Sequence, residues 1–284
     1  MFQRSVFSEE QNFFRETTAK FVDKEILPYH SKWEKDGIVP KEIWLKAGEV
    51  GLLCPNVPKE YGGIGGDFRF NVIIVEELAR IGATGPGFAV HSDIVAPYLI
   101  NYSSSAQKKN YLPKMVKGEI ITAIAMTEPG TGSDLQNIKT KAIINNDTIV
   151  LNGSKTFITN GQNADLVLVV AKTDSTKKAK GISIVLCEKY RKGFKKGKNL
   201  EKIGLKAQDT SELFFQDVQL PLENILGNSG QGFAQLMDEL PQERLSIAVT
   251  AIASAEAALN WTVSYTKERT AFNTKIINFQ NTKF

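Results

Sequence analysis

The sequence predicts an α+β fold in three consecutive parts. These are an N-terminal all-α domain over residues 1–119, a middle β-barrel or sandwich domain over residues 120–229, and the start of an incomplete C-terminal helical bundle domain over residues 230–284. Three observations predict it. Apolar residues recur at three- and four-residue steps up to about residue 119, the spacing of one helix face. From Ile120 the period becomes two or the segments become short continuous apolar runs, the patterns of strands. After Gly230 and Gly232 the helical spacing returns.

Ser8-Glu9-Glu10 reads as an N-cap with acids in the first turn, so folded structure is expected almost directly after Met1–Arg4. Phe13, Phe14, Thr17, Phe21, Val22 and Ile26 make one stripe, closed by Pro28. A second helix is expected over Lys41–Val50. Pro55–Asp67 is a loop, because Pro58, Gly62-Gly63 and Gly65-Gly66 do not fit inside an element; it reads as a plain linker or a ligand contact. Three more helices are expected over Phe70–Ile81, Asp93–Tyr102 and Ala106–Lys117, the last with Ser105 as N-cap.

Ile120–Met126 reads as a buried strand. Lys139–Ile144, the turn Asn145-Asn146-Asp147 and Thr148–Leu151 read as strand, turn, strand. Asn152-Gly153 carries a type I′ hairpin signal. Leu166–Ala171, Ile182–Cys187 and Glu212–Val218 are further strands. Arg191–Lys198 is a basic loop. Phe233, Leu236, Met237 and Leu240 then make a helical stripe, and a second pattern runs from Arg244 to about Lys267. Ile276–Phe284 is amphipathic without a stop signal, and the expectation is a chain cut at or inside a helix.

Composition excludes several functions. The chain has 284 residues, 42% hydrophobic and 23% charged, as in ordinary globular proteins. A net charge of +4 is too small to argue for nucleic acid. No apolar run approaches the ~20 residues of a membrane helix. Cys54 and Cys187 are isolated, so both read as reduced thiols, and His30 and His91 have no partners at metal or catalytic spacing. No metal site is expected. No secretory signal or transit peptide is visible. A bacterial cytosolic protein is expected if Met1 is the true start, and a mitochondrial matrix protein if a leader was removed.

The chemistry-bearing segments are Met126-Thr127-Glu128-Pro129-Gly130-Thr131-Gly132-Ser133-Asp134, Asn152–Gly161, Glu243-Arg244-Leu245 and Arg269-Thr270-Ala271-Phe272. Two glycines and several hydroxyls after a buried strand let backbone approach a flat or phosphate-bearing ligand, or simply make a turn. Phe157 alone would read as a core aromatic, Thr159 as a turn hydroxyl, and Glu243 as a helix-capping or ion-paired acid, with Glu239 competing one turn earlier. No G-x-G-x-x-G follows a strand, so a Rossmann mode is not supported.

Taken together and in this order, the four segments resemble the acyl-CoA dehydrogenase family of flavoenzymes along nearly the whole chain. Glu239-Leu240-Pro241-Gln242-Glu243-Arg244-Leu245 is similar to its long-chain branch. The resemblance implies FAD as cofactor and α,β-dehydrogenation of acyl-CoA thioesters in fatty-acid β-oxidation, giving trans-2-enoyl-CoA. It implies that Ile124, Ala125, Met126 and Thr127 run along the flavin. Gly132 and Ser133 would meet the pyrophosphate or the CoA arm, with Phe157, Ile158 and Thr159 as the second flavin contact. Many relatives carry Trp at the position of Phe157. Arg269 and Gln280 would reach FAD across a subunit interface, in a tetramer or dimer. Glu243 would be the general base, with Ser133, Pro241, Gln242 and Arg244 beside the substrate. A contact from Arg191–Lys198 to CoA phosphate competes with a solvated face. Electron-transfer flavoprotein is the implied acceptor. An isovaleryl or other branched-chain dehydrogenase, an acyl-CoA oxidase, and an inactive truncated fragment are the alternatives.

Overall fold

The computed structural model describes residues 5–284, so Met1–Arg4 lie outside the described residues. Helix α1 (Glu9–Phe21) opens with Ser8 as N-cap in a reciprocal capping box with Gln11, and continues as a π-helical turn, Val22–Ile26. Helices α2 (His30–Asp36), α3 (Lys41–Glu49), α4 (Phe68–Arg80), α5 (Ala96–Tyr102) and α6 (Ser105–Val116) follow, with a π-helical turn at Val90–Val95 leading into α5. The stripe expected over Phe13–Ile26 is only partly the buried face: Phe21, Val22 and Ile26 are buried, but Phe13 and Thr17 are exposed and Gln11 and Thr18 take the inward positions; in the later stripe Leu236 is buried and Met237 exposed. The N-cap of α6 is Ser104 rather than Ser105, again in a capping box, with Gln107.

The middle third is one curled sheet of seven strands: β1 (Thr122–Ala125), β2 (Lys141–Asn145), β3 (Thr148–Thr159), β4 (Leu166–Lys172), β5 (Ile182–Glu188), β6 (Phe194–Asn199) and β7 (Thr210–Pro221). The strand path is β1-β4-β2-β3-β7-β6, and β5 pairs with β4. β4 lies parallel to β1 and antiparallel to β5, and all three are largely buried, which explains their continuous apolar runs. Asn152-Gly153 is not a hairpin turn. It lies inside β3 at a register shift opposite β7, where Gly153 takes φ 149° and a side chain would collide with Thr140, so glycine is required on both counts. The basic segment is not all loop either, since β6 occupies Phe194–Asn199 at the sheet edge.

Helix α7 (Gly232–Glu268) is a single element of 37 residues. It runs through Pro241, joining what the sequence suggested were two patterns. Proline removes one backbone bond and stops a poorly supported helix; here Leu236, Glu239 and Ser246 are buried on either side of it. α7 packs on α4, α5 and β5. The chain ends in a small hairpin, β8 (Thr270–Ala271) with β9 (Thr274–Lys275), and one helical turn, α8 (Gln280–Lys283). Cys54 and Cys187 are free and buried. No helix among the described residues is long and apolar enough to cross a membrane.

Candidate active site

The end of β1 and the end of β3 are tied into one platform. Glu128 and Thr131 exchange backbone hydrogen bonds at 2.9 and 3.0 Å, closing the turn after β1, and Thr156 N–H donates to Thr127 O at 2.9 Å. Beneath the turn lies the ion pair Lys155–Glu128, with side chains 0% and 5% exposed. Lys155 Nζ donates to Glu128 Oε1 and to Met126 O, both at 2.9 Å. Glu128 also accepts from the backbone N–H groups of Lys139 and Thr140. Burial opposes ionisation of Glu128, but bonds from Thr140 and Lys155 outweigh it and hold the carboxyl below its usual range. Burial lowers Lys155 to about 8 against the pull of Glu128. The two shifts point opposite ways for ionisation. The geometry favours the charged pair near neutrality, since both Glu128 oxygens accept hydrogen bonds and Lys155 Nζ donates two.

Between Lys155 and Ile158 the pairing of β3 with β7 shifts register. Phe157 sits in this bulge at φ 59°, and its side chain is turned outward and exposed. A left-handed aromatic residue is uncommon and costs about 1–3 kcal/mol, so it persists where the surroundings impose it and often marks a working surface. Asn160 anchors the far side, donating through Nδ2 to Gly87 O and Thr122 O at 3.0 and 3.1 Å. Gly87 must be glycine here, because a Cβ would lie 1.9 Å from Asn160 Oδ1.

The third wall is α7. Glu243, Ser246, Ile247, Thr250 and Ser254 fall on one face at helical spacing. Glu243 is half-buried and accepts a 2.8 Å hydrogen bond from Tyr98 Oη of α5. Glu239, one turn earlier, accepts from Asn101 Nδ2 at 2.7 Å. Burial raises the Glu243 pKa above the usual carboxylate range, aided by the nearby Glu239 charge and opposed by the Tyr98 bond. One turn further along, an apolar cavity of about 290 Å³ opens between α4, the Val90–Val95 turn and α7. Thr159 of β3 and Ser246, Ile247 and Thr250 of α7 line this same cavity.

The predicted residues therefore divide. Met126, Thr127, Phe157 and Thr159 stand along the linked ends of β1 and β3, and Thr159 shares a cavity with the Glu243 face of α7. Ala125 and Ile158 belong to the sheet core, so only their backbone is available to a ligand; Ile124 packs half-buried against the neighbouring core. Gly132 and Ser133 are exposed in the loop, and Gly130 and Gly132 have open space where a Cβ would be. Gln242 Nε2 donates to Asp93 O at 2.9 Å; Pro241 and Arg244 are exposed. Glu243 lies within α7 rather than at a helix start, which removes the capping role. Arg269 and Gln280 are exposed; Arg269 caps the far end of α7, roughly 40 Å along the axis from Glu243 at 1.5 Å per residue, and Gln280 follows the terminal hairpin and the turn Ile276–Asn278, which pack back on α7. Neither His is a site residue: His91 is buried against Thr122 and Met115 O, and burial lowers it to about 4, while His30 Nε2 accepts from Gly85 N–H. Tyr98, Asn101, Lys155 and Glu128 were not singled out from the sequence. Among them Glu128, inside the first signature segment, and Lys155, inside the second, lay within a local motif, and Tyr98 and Asn101 did not.

Family models for the acyl-CoA dehydrogenase N-terminal, middle and C-terminal domains match residues 8–119, 123–218 and 230–284. The solved acyl-CoA dehydrogenase from Geobacillus kaustophilus superposes with a TM-score of 0.96 at 48% identity, covering 99% of this chain and 74% of that one. The chain belongs to the acyl-CoA dehydrogenase family. The mitochondrial long-chain specific acyl-CoA dehydrogenase of Sus scrofa is 50% identical over 279 residues, 98% of this chain and 65% of that protein. An acyl-CoA dehydrogenase from Bacillus anthracis, solved in complex with FAD, has a TM-score of 0.90 at 34% identity, covering 98% of this chain and 47% of that one. This member of the family thus spans about two thirds of the length of the pig relative.

Proposed function

We propose that this chain carries the flavin site and the acyl site of an FAD-dependent acyl-CoA dehydrogenase that acts on long, unbranched acyl-CoA thioesters to give trans-2-enoyl-CoA. The observation that carries this reading is the shared cavity: Thr159, from the β3 platform, and Ser246 and Ile247, one turn from Glu243, line a single apolar space. The residues present fit a flavin. Phe157 offers a flat exposed face, Thr127 and Thr159 offer hydroxyls, and the turn at Gly130–Gly132 offers backbone with open space in front of it. Ala125 and Ile158 would contribute backbone contacts only.

When bound, FAD supplies the hydride acceptor that no side chain can provide. The protein's part is to bind, orient and remove a proton. Glu243 takes the α-proton; its half-buried carboxyl, with a raised pKa, is a better base near neutrality than an exposed one. The Tyr98 bond aims it and tempers that rise. The apolar walls of Ile74, Val75, Leu78, Phe88 and Ile247 hold the acyl chain and keep water out. Gln242, bonded to Asp93 O, fixes the helix against the Val90–Val95 turn, and Arg244 faces away, lowering the Glu243 pKa slightly by its charge. Electrons then pass to an electron-transfer flavoprotein. Roles for Arg269 and Gln280 at FAD are assigned to a second copy of the chain, as in a dimer or tetramer; within one chain Arg269 stands far along α7 from Glu243.

The 50% identity to a long-chain specific relative supports the chain-length part of the reading. The test is product formation by the full-length enzyme across straight acyl-CoAs of rising length and isovaleryl-CoA, with an artificial electron acceptor. The expected result is enoyl-CoA with kcat/KM highest for long straight chains. A maximum at isovaleryl-CoA would refute the long-chain assignment.

A further inference from the structure

The cavity that takes the acyl chain in the reading above lies between α4 and α7, and its two ends are built differently. Near Glu243 the helices are tied through the Val90–Val95 turn: Asp93 accepts from Asn71 Nδ2 of α4 and from Ser246 Oγ of α7, both at 2.7 Å. At the other end α4 has stopped, and Gly82 turns the chain at φ 70°. The tip of the Trp261 indole, from α7, rests on that glycine: a Cβ built there would lie 2.9 Å from Trp261 Cη2. Gly82 lines the cavity, so the half-buried ring stands at its end wall.

Helical spacing puts Trp261 on the stripe that lines the cavity. Ile247 and Ser254 both line it, seven residues apart on one face of α7, and Trp261 is seven further. It is the first aromatic residue on that stripe. A helical side chain leans toward the N-terminus of its helix, so the ring falls over the turn before its own Cα, back toward Ser254. Beyond the ring the surroundings change. Trp261 shares a second space, of about 240 Å³, with Arg15, Glu76, Glu77 and Arg80, which are ion-paired to one another. An apolar tail pushed past the ring would take water from those charges, which is unfavourable.

The distances suit a long chain. Ser254 lies roughly 16 Å along α7 from Glu243 and Trp261 roughly 27 Å, at 1.5 Å per residue. With the ring leaning back by about one turn, the end wall stands roughly 16–22 Å from the base. An extended chain advances roughly 1.2 Å per bond, so the space takes straight acyl groups of about 16–20 carbons.

We propose that Trp261, seated on Gly82, sets the upper limit of acyl length by closing the acyl cavity to longer straight chains. This rests on the reading of that cavity as the acyl site.

The experiment uses the full-length flavin-loaded enzyme and straight acyl-CoAs of rising length, in steps of two carbons. The expected result for wild type is a kcat/KM that falls at least tenfold past a limiting length, the scale of a methylene for which a pocket has no room. Trp261→Ala moves that limit outward by two carbons or more, so a chain refused by wild type is turned over at least tenfold faster. Trp261→Leu, which shortens the side chain and keeps it apolar, moves it by less. A merely destabilised enzyme loses rate at every length and gains no longer substrate. A folded, flavin-loaded Trp261→Ala with the wild-type limit overturns the proposal and leaves the dehydrogenase reading intact. If that variant does not fold, an unmoved limit in Trp261→Leu overturns it, as does a wild type that shows no upper limit. No dehydrogenation of any acyl-CoA by wild type overturns both.

Discussion

Glu243→Gln in the full-length enzyme is expected to lower kcat for acyl-CoA dehydrogenation by roughly 10²–10⁴-fold, the usual contribution of a positioned general base. Gln keeps the size of the side chain and can still accept from Tyr98 Oη, so flavin content and acyl-CoA binding are expected to stay near wild type. Stopped-flow reduction of the flavin by acyl-CoA separates the chemical step from binding. The neighbouring Tyr98→Phe has a signed consequence. The Tyr98 bond lowers the Glu243 pKa against the larger effect of burial. Its removal therefore raises that pKa further, and the acidic limb of kcat/KM against pH moves to higher pH. If Glu243→Gln retains substantial rate and Glu239→Gln loses it, the base is Glu239, one turn earlier on the same face of α7.

Lys155→Met carries the second large effect, on stability. It leaves Glu128 buried with its charge uncompensated, and breaking a buried pair from one side costs about 3–5 kcal/mol. It also removes the donor to Met126 O, so the turn that continues β1 loses its tie to β3. The expected outcome is a lower urea midpoint together with loss of bound flavin. The double variant Lys155→Met/Glu128→Leu should recover much of the urea midpoint, because no uncompensated charge remains, without recovering the Met126 contact. Equal midpoints for wild type and Lys155→Met would show that the pair does not hold the platform.

The elements that could be read from the sequence are those whose burial is periodic or continuous. α4 shows its buried face as Phe70, Ile73, Ile74 and Leu78, and β4 and β5 show theirs as unbroken apolar runs. α2 was not legible because its seven residues bury only His30 and Trp33. β6 hid among lysines; only Phe194 is buried, and charged residues of this kind commonly protect an exposed sheet edge. Asn152-Gly153 gave a correct local signal for positive φ and a wrong one for a turn, since a bulge inside β3 uses the same backbone freedom. Pro241 suggested a helix start, but tertiary packing carries α7 through it.

The site divides in the same way. Thr127, Phe157, Thr159 and Glu243 sit in short motifs that drew attention through their order along the chain and the family they resemble, since each residue type alone read as a turn, core or capping residue. Tyr98 lies 145 positions from Glu243, and nothing near either residue announces the bond. The Asn71–Asp93–Ser246 contact depends on three elements meeting in space, so no spacing rule could have found it.

The most direct test of the account is the visible spectrum of the purified full-length protein before and after anaerobic addition of a long-chain acyl-CoA. The account predicts a bound-flavin band that bleaches on addition, with trans-2-enoyl-CoA recovered from the mixture. A flavin band left unchanged by saturating acyl-CoA of any length would contradict it.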